Sequence, residues 1–352
     1  MELIRGQHNL RPQHRGCVAT IGNFDGVHLG HRLILDQLHE QATRYNLPRL
    51  VITFEPQPQE FFAGPNAPPA RLMRLREKLQ VLEELGIERV LCLEFDQRLA
   101  SLPASAFIDE LLVERLGIRH LVIGDDFRFG HRRAGDFALL TEAGQRHGFS
   151  VASSHSYILD GERVSSTRIR QALAQGELEQ AARLLGRPYH LCGRVAHGDQ
   201  RGRTIGFPTA NLHLHRQVTP VSGVYAVLLS DPALPPWPGI ANVGRRPTVA
   251  GEQERLEVHL LDFQGDLYGR HVKVSFLHAL RPEQRFESLN ALQAQIRQDE
   301  RIARSYFTEC GLPIPILPAP YPHQAWETQP SFAAPLPLGT ESSSLPLPKI
   351  GF

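Results

Sequence analysis

The run Val18-Ala19-Thr20-Ile21-Gly22-Asn23-Phe24-Asp25-Gly26-Val27-His28-Leu29-Gly30-His31 narrows what this chain can fold into more than any other stretch. A short β-branched, apolar segment empties through glycines into a helical pattern from Arg32 to Tyr45, with Leu33, Ile34, Leu38 and Ala42 near helical spacing. A strand feeding a helix through glycines brings backbone N–H groups and the positive end of a helix dipole together. That is an anion site, and phosphate is its usual guest. His28 and His31 stand three residues apart at the helix start, so both imidazoles can face one crevice and donate to phosphate oxygens. A His-x-x-His metal pair, or two polar residues on an ordinary turn, fits the same spacing.

The first half repeats this alternation. Leu50–Phe54 reads as a buried strand, followed by helical periodicity over Arg71–Leu85, a strand at Arg89–Phe95, a helix over Ala104–Leu116 and a strand at His120–Ile123. Strands separated by helices of this length imply βαβ units and a parallel sheet, with ligands past the carboxyl ends of its strands. Three loops should gather there. One is Thr53-Phe54-Glu55-Pro56-Gln57-Pro58, where Gln57 reads as a loop residue. Another is Gly124-Asp125-Asp126-Phe127-Arg128-Phe129, whose Asp126 can accept from nucleotide or flavin groups while Phe127 and Phe129 contact a ligand or pack beneath the loop. The arginines after it, Arg132 and Arg133, suit phosphate or a solvated turn. The third is Val164-Ser165-Ser166-Thr167-Arg168-Ile169-Arg170, where hydroxyls precede an apolar-periodic helix. Such hydroxyls cap a helix whatever its function, and with free N–H groups and Arg170 they can also hold a triphosphate.

Beyond Leu178–Leu185 and a joint at Gly186-Arg187-Pro188-Tyr189 the pattern changes to short strands with Gly/Pro turns: 189–195, 223–229, 239–243, 257–261 and 271–277. This predicts an antiparallel barrel or sandwich. The segment from His197 to Asn211 is dense in glycine and can bring backbone N–H groups to phosphate, or serve as a long hairpin connection. In Arg255–Phe263, period-2 geometry sets Leu256, Val258 and Leu260 on one face and Glu257 with His259 on the other. A helix over Ser288–Phe307 carries Leu289, Leu292, Ile296, Ile302 and Ala303 as an apolar stripe. From Leu312 the chain holds 10 of its 27 prolines, which predicts a disordered tail.

Composition excludes several function classes. The 352 residues suffice for two domains, and a net charge of +1 gives no electrostatic case for nucleic acid or an anionic membrane. Lysine occurs only at 78, 273 and 349, with no Gly-Lys-Ser/Thr, so an ATP site here is not a Walker loop. The four scattered cysteines form no Cys-x-x-Cys pair, and there is neither a long apolar run nor a signal-peptide core. A cytoplasmic protein is expected. The oligomeric state, including any homo-oligomer, is not written in the sequence.

Gly22-x-Phe24-Asp25-Gly26-Val27-His28-x-Gly30-His31 resembles the adenylyltransferase signature of prokaryotic bifunctional riboflavin kinase/FAD synthetases. The resemblance runs over about residues 1–308. It implies a Rossmann-like α/β nucleotidylyltransferase domain (1–186) and an antiparallel β-barrel riboflavin kinase domain (187–308), and gives no reading for the proline-rich tail (309–352), which composition alone predicts to be disordered. In the first domain it implies an ATP and phosphate site at Gly22, Phe24, Asp25, Gly30, Ser166, Thr167 and Arg170, with His28 and His31 catalytic and a flavin or nucleotide loop at Asp126 and Phe127. The family carries His where this chain has Gln57. In the second domain it implies ATP and Mg2+ binding by Gly198, Arg203, Gly206, Thr209 and Asn211, the metal on Thr209 and Asn211, and Glu257 as base. The loops Asn242–Thr248 and Gly265–Gly269 also resemble family loops near that site. The substrates so implied are riboflavin, FMN and ATP, the final product FAD. A flavin carrier that keeps the folds without turnover, or an adenylyltransferase for a different phosphorylated substrate, are the alternatives. The intact His28, His31, Thr209, Asn211 and Glu257 speak against the first, the barrel motifs against the second. Class I aminoacyl-tRNA synthetases pair a similar histidine element with a lysine-rich loop; this chain has no lysine from 79 to 272.

Overall fold

The computed structural model describes residues 1–64, 70–196, 206–216, 218–248 and 251–312. Gly198 and Arg203 lie outside these residues, as does the proline-rich stretch from 313 onward.

Six parallel strands build the first half: β1 (Glu2–Arg5), β2 (Val18–Ile21), β3 (Arg49–Glu55), β4 (Arg89–Glu94), β5 (His120–Gly124) and β6 (Ser150–Ser154). They lie in the order β1-β4-β3-β2-β5-β6, each pair parallel. Alternate residues of the central strands face opposite sides. Val18, Val51, Val90 and Val122 pack against helices α1 (Leu29–Tyr45) and α3 (Leu75–Glu84), the shorter α2 (Pro58–Ala63) lying between them in sequence. Ala19, Ile52, Leu91 and Leu121 face the opposite core, built on Phe107, Leu111 and Leu140. Both faces are covered, so these strands read as continuous apolar runs. From β2 the chain moves outward through β3 and β4, then returns to place β5 on the other side of β2. The crevice at the carboxyl ends of β2 and β5 is therefore a topological switch point.

The sequence does not announce every element. The edge strand β1, the polar β6 (Ser-Val-Ala-Ser-Ser) and the helix Phe137–His147 carry little periodic signal, yet all are formed. The helix expected over Arg71–Leu85 starts only at Leu75; ahead of it Arg71 pairs with Glu55, the Met73 N–H donates to Asp25, and Arg74 is the extended N-cap.

A small hairpin, β7 (Ile158–Leu159) and β8 (Glu162–Arg163), leads to the helices Ser166–Ala174 and Leu178–Leu185. The second half is a closed antiparallel barrel of β9 (His190–Ala196), β10 (Ala210–His213), β11 (Gly223–Asp231), β12 (Leu234–Thr248), β13 (Gly251–Leu260) and β14 (His271–Arg281), ordered β10-β13-β12-β11-β14-β9. Closure leaves no open edge. Leu256 and Val258 are buried inside while Glu257 and His259 are half-buried on the other face, as the alternation requires. The helix Leu289–Glu309 packs Ala303 and Phe307 on the barrel, whereas Leu289 and Ile302, expected in its apolar stripe, are exposed.

The passage Gly186–Tyr189 is not a loose joint. One apolar core runs from Ile169, Leu173 and Leu185 through Tyr189 into the barrel interior. Across the same junction the buried Glu77 carboxylate accepts from the Cys192 N–H (2.8 Å) and pairs with Arg216, whose Nη1 donates to the Arg71 carbonyl (2.7 Å). Removing one partner of such a pair strands the other charge away from water. Glu77→Ala should cost about 3–5 kcal/mol in denaturant unfolding, and Glu77→Ala combined with Arg216→Leu clearly less; equal losses would contradict the pairing.

Candidate functional site

A cavity of about 310 Å³ opens over the carboxyl ends of β3, β2, β5 and β6, at the switch point. Two helix starts face it. Gly30 and His31 belong to the first turn of α1; Ser165, Ser166 and Thr167 begin the helix Ser166–Ala174. Two positive dipole ends turned to one cavity suit it to anions before any side chain is counted.

His28 is the N-cap of α1, its Nδ1 accepting from the His31 N–H at 3.3 Å. Burial pushes its pKa down to about 4, with Arg163, Arg187 and Arg170 adding to the depression and Asp25 opposing it. The ring is therefore neutral at pH 7, and because Nδ1 accepts, the proton sits on Nε2 as a donor. The His31 ring stacks on His28 at 3.7 Å and is held well below the ordinary histidine range, first by burial and then by His28. Its Nδ1 is enclosed without a partner. Gly30 makes this stack possible, since a Cβ there would stand 3.2 Å from the His28 ring.

The loop before the helix is anchored from behind. Asp25 is 2% exposed, its carboxylate accepting from Leu72 N–H (3.1 Å), Met73 N–H (3.0 Å) and Arg170 Nη2 (2.5 Å). Its carbonyl accepts from Ser166 Oγ (2.8 Å). Phe24 (φ 47°) and Val27 (φ 41°) adopt left-handed backbone, which non-glycine residues hold only when their surroundings insist. Gly26, at φ 86°, would be strained with any side chain, and its Cβ would push against Leu72 Cδ1 at 2.7 Å.

These contacts revise several sequence expectations. Gly22, Phe24, Asp25, Ser166, Thr167 and Arg170 all line the cavity; Arg170 Nη2 pairs with Asp25 and its Nε donates to the Ala70 carbonyl (2.6 Å), so two of its donors anchor the loop. Phe24 is buried in the core and forms a floor against the His31 ring (5.0 Å). Asp126 and Phe127 reach the cavity; Asp126 pairs with Arg163 at 2.9 Å, which holds its carboxyl below the usual range. Phe129 packs in the core against Phe107, while Arg132 and Arg133 are exposed and solvated.

Among the polar residues of the wall that the sequence reading did not assign, two stand out. Arg163, from the β7–β8 hairpin, lines the cavity and carried no pattern to mark it. Gln57, read as a loop residue, is 2% exposed, lines the cavity, and has an enclosed Nε2 without a partner. Lys78, also unassigned, is buried behind the sheet end and donates to Thr53 Oγ1 (3.3 Å).

In the barrel, a second cavity of about 310 Å³ is lined by Thr209, Ala210, Val258 and Leu260 together with Asp266 and Tyr268 of the Gly265–Gly269 loop. Glu257 and Asn211 are not in its wall. They sit directly opposite each other on β13 and β10, with Asn242 of β12 flanking Glu257 on the other side. Asn211 Nδ2 donates to the Thr209 carbonyl (3.4 Å), so Thr209 joins this polar outer face to the cavity rim. The His259 ring contacts the Pro208 carbonyl (2.9 Å) and Phe207, laying the Gly206–Thr209 segment along β13. Gly206, at φ 86°, has open space around it. Among the described residues no cluster of three His, Cys, Asp or Glu could hold a metal, and no helix is long and apolar enough to cross a membrane.

Comparison with known proteins agrees with this geometry. The FAD synthetase family profile matches residues 10–168, and the riboflavin kinase profile matches residues 185–307. The bifunctional riboflavin kinase/FMN adenylyltransferase of Escherichia coli (strain K12) is 56% identical over 309 residues, covering 87% of this chain and 98% of that one. The proteins of the same description from Pseudomonas fluorescens (54% identity, 87% and 97% covered) and Haemophilus influenzae (50%, 87% and 99%) are similar over the same extent. A crystal structure from Streptococcus pneumoniae, described as a macrolide-efflux protein, shares the fold with a TM-score of 0.74 and 31% identity, covering 86% of this chain and 99% of that one. With both profiles in order along one chain and identities of 50–56% across nearly whole relatives, this chain belongs to the bifunctional riboflavin kinase/FMN adenylyltransferase family.

Proposed function

We propose that the chain makes FAD in two ATP-dependent steps, FMN formation in the barrel and adenylyl transfer in the histidine-lined cavity. The observation that carries the second assignment is the stacked, neutral His28–His31 pair beside two converging helix starts.

In adenylyl transfer a phosphate oxygen of FMN attacks the α-phosphorus of ATP. The bond to the β-phosphate's bridging oxygen breaks and pyrophosphate leaves. The nucleophile is already an anion, so no general base is needed, and positioning with charge stabilisation suffices. His28 Nε2–H and His31 meet the oxygens where charge builds. First-turn N–H groups, that of Ser166 among them, and the Thr167 hydroxyl hold the remaining phosphates, and Asp126, Phe127 and Gln57 face the flavin or adenine groups.

In the kinase step the riboflavin hydroxyl attacks the γ-phosphorus, ADP leaves, and Glu257 accepts the hydroxyl proton. The Thr209 hydroxyl and Asn211 amide oxygen are hard donors of the kind Mg2+ takes, and so few protein ligands suit an ion that keeps waters and phosphate oxygens. When bound, Mg2+ neutralises phosphate charge. The register of Glu257 against Asn211 supports the grouping; Asp266 is the carboxylate in the cavity wall itself and is the second candidate for the base. Small molecules are the partners, with no role for nucleic acid or membrane. Free cysteines at 17, 92, 192 and 310 support a reducing, cytoplasmic setting.

Replacing both His28 and His31 by Ala should lower FAD formation from FMN by at least about 10²-fold while FMN formation from riboflavin persists. Glu257→Gln should do the reverse, with a loss on the order of 10²–10⁴ in FMN formation. FMN formation kept in Glu257→Gln but lost in Asp266→Asn would move the base to Asp266.

The depressed His28 value has a signed consequence. Between pH 6.5 and about 4 the unfolded chain binds a proton at this histidine that the folded chain refuses. Its contribution to stability is complete above 6.5 and declines as pH falls toward 4. Histidine NMR should find His28 still neutral at pH 6, and a midpoint near 6.5 would contradict its enclosure.

A further inference from the structure

Arg187 is the first residue after the helix Leu178–Leu185 and its Gly186 cap, within the stretch matched by the riboflavin kinase profile. Its side chain nevertheless points back into the adenylyltransferase loop. Nη2 donates to the Gly26 carbonyl at 2.5 Å and Nη1 to the Val27 carbonyl at 3.0 Å. Nη1 also reaches the Leu185 carbonyl (3.2 Å) and Nη2 the Met73 sulfur (3.5 Å), so every acceptor of the fork lies before Gly186. Leu29, the first residue of α1, packs against Gly186 beside it.

The two carbonyls it holds are unusual ones. They belong to Gly26 (φ 86°) and Val27 (φ 41°), the residues immediately before the His28 cap. A β-branched residue in left-handed backbone is strained and persists only where neighbours over-determine it. The Asp25 anchor fixes the loop on one side, and the Arg187 fork fixes its last two peptide units on the other. A guanidinium suits this task because its planar donors reach two adjacent acceptors at once.

We infer that Arg187 is a positioning residue for adenylyl transfer: by holding the Gly26 and Val27 carbonyls it sets the direction in which His28 leaves the loop and so the height of the stacked histidine pair in the cavity. A side chain of the kinase segment thereby completes the transferase site. The guanidinium touches no reacting atom; it acts through the two backbone carbonyls it holds, and its charge, which also disfavours protonation of His28, is retained in Arg187→Lys. This inference rests on the assignment of adenylyl transfer to the histidine-lined cavity.

The test uses the full chain and both of its reactions. In Arg187→Gln, kcat for FAD formation from FMN should fall about 30- to 100-fold, the range a displacement near 1 Å produces. The KM for ATP should stay within about threefold and FMN formation from riboflavin within about twofold of wild type, since a displaced histidine pair weakens transition-state contacts made after ATP is bound. Arg187→Lys keeps a cation that can donate to one of the two carbonyls and should recover part of the lost kcat. Unchanged FAD formation in Arg187→Gln, or a rise in KM alone, overturns the inference. So does a parallel loss of both reactions in the two variants, which would make Arg187 a structural part of the junction only. Should Arg187→Gln fail to accumulate as folded protein, Arg187→Lys decides on the same criteria: a selective fall in FAD formation supports the inference, and unchanged or jointly reduced activities refute it. The variant with His28 and His31 both replaced by Ala runs in parallel. FAD formation surviving there refutes the site assignment itself, whereas its loss there with retention in Arg187→Gln refutes only the positioning.

Discussion

A single buried carboxylate organises the transferase half. Asp25 joins three segments distant in sequence: its own glycine loop after β2, the extended stretch at Leu72 and Met73, and the helix carrying Arg170 and Ser166. An ionised group enclosed this deeply is tolerable only when every oxygen is paired, so the three segments are held at one spacing or the charge is stranded. That spacing is what turns two separate helix starts toward the same cavity. The histidines can then be short, neutral donors, because the surrounding backbone already supplies the positive potential.

The two halves are built on different principles yet are not independent bodies. The parallel sheet puts its ligands at strand ends, where the order reverses; the barrel uses its rim and the faces of adjacent strands. Between them lie one continuous apolar core, the Glu77–Arg216 pair and the Arg187 fork. An oily interface alone would be tolerant of sliding. Directional donors to backbone carbonyls are not, and they fix how the barrel segment meets the loop that carries His28.

Much of this was legible in the sequence because the signals were local. A β-branched strand, a glycine turn and a helix start must lie together in space, so the histidine loop could be placed without knowing the rest. Likewise the alternation around Glu257 set its face. What could not be read were partnerships made by the fold. Arg170 read as a phosphate ligand and Asp25 as part of the ATP loop, and only the closed structure reveals that they bind each other. Gln57 looked like loop punctuation because nothing in a Pro-flanked polar residue announces burial. Arg163 sits on a two-residue strand too short to leave a period. Glu257 was expected in one pocket with Thr209 and Asn211; the register does bring it beside Asn211, but the cavity opens on the strand's apolar face.

The central claim is that each half carries its own complete ATP-handling site, with FMN passing from one to the other. The most direct measurement mixes two disabled proteins, one lacking the His28 and His31 imidazoles and one carrying Glu257→Gln, and supplies riboflavin with Mg-ATP. The account predicts that the mixture forms FAD while neither protein alone does so at a comparable rate, because FMN released by the first is adenylylated by the second. A mixture that stalls at FMN, or forms nothing, would contradict two self-sufficient sites.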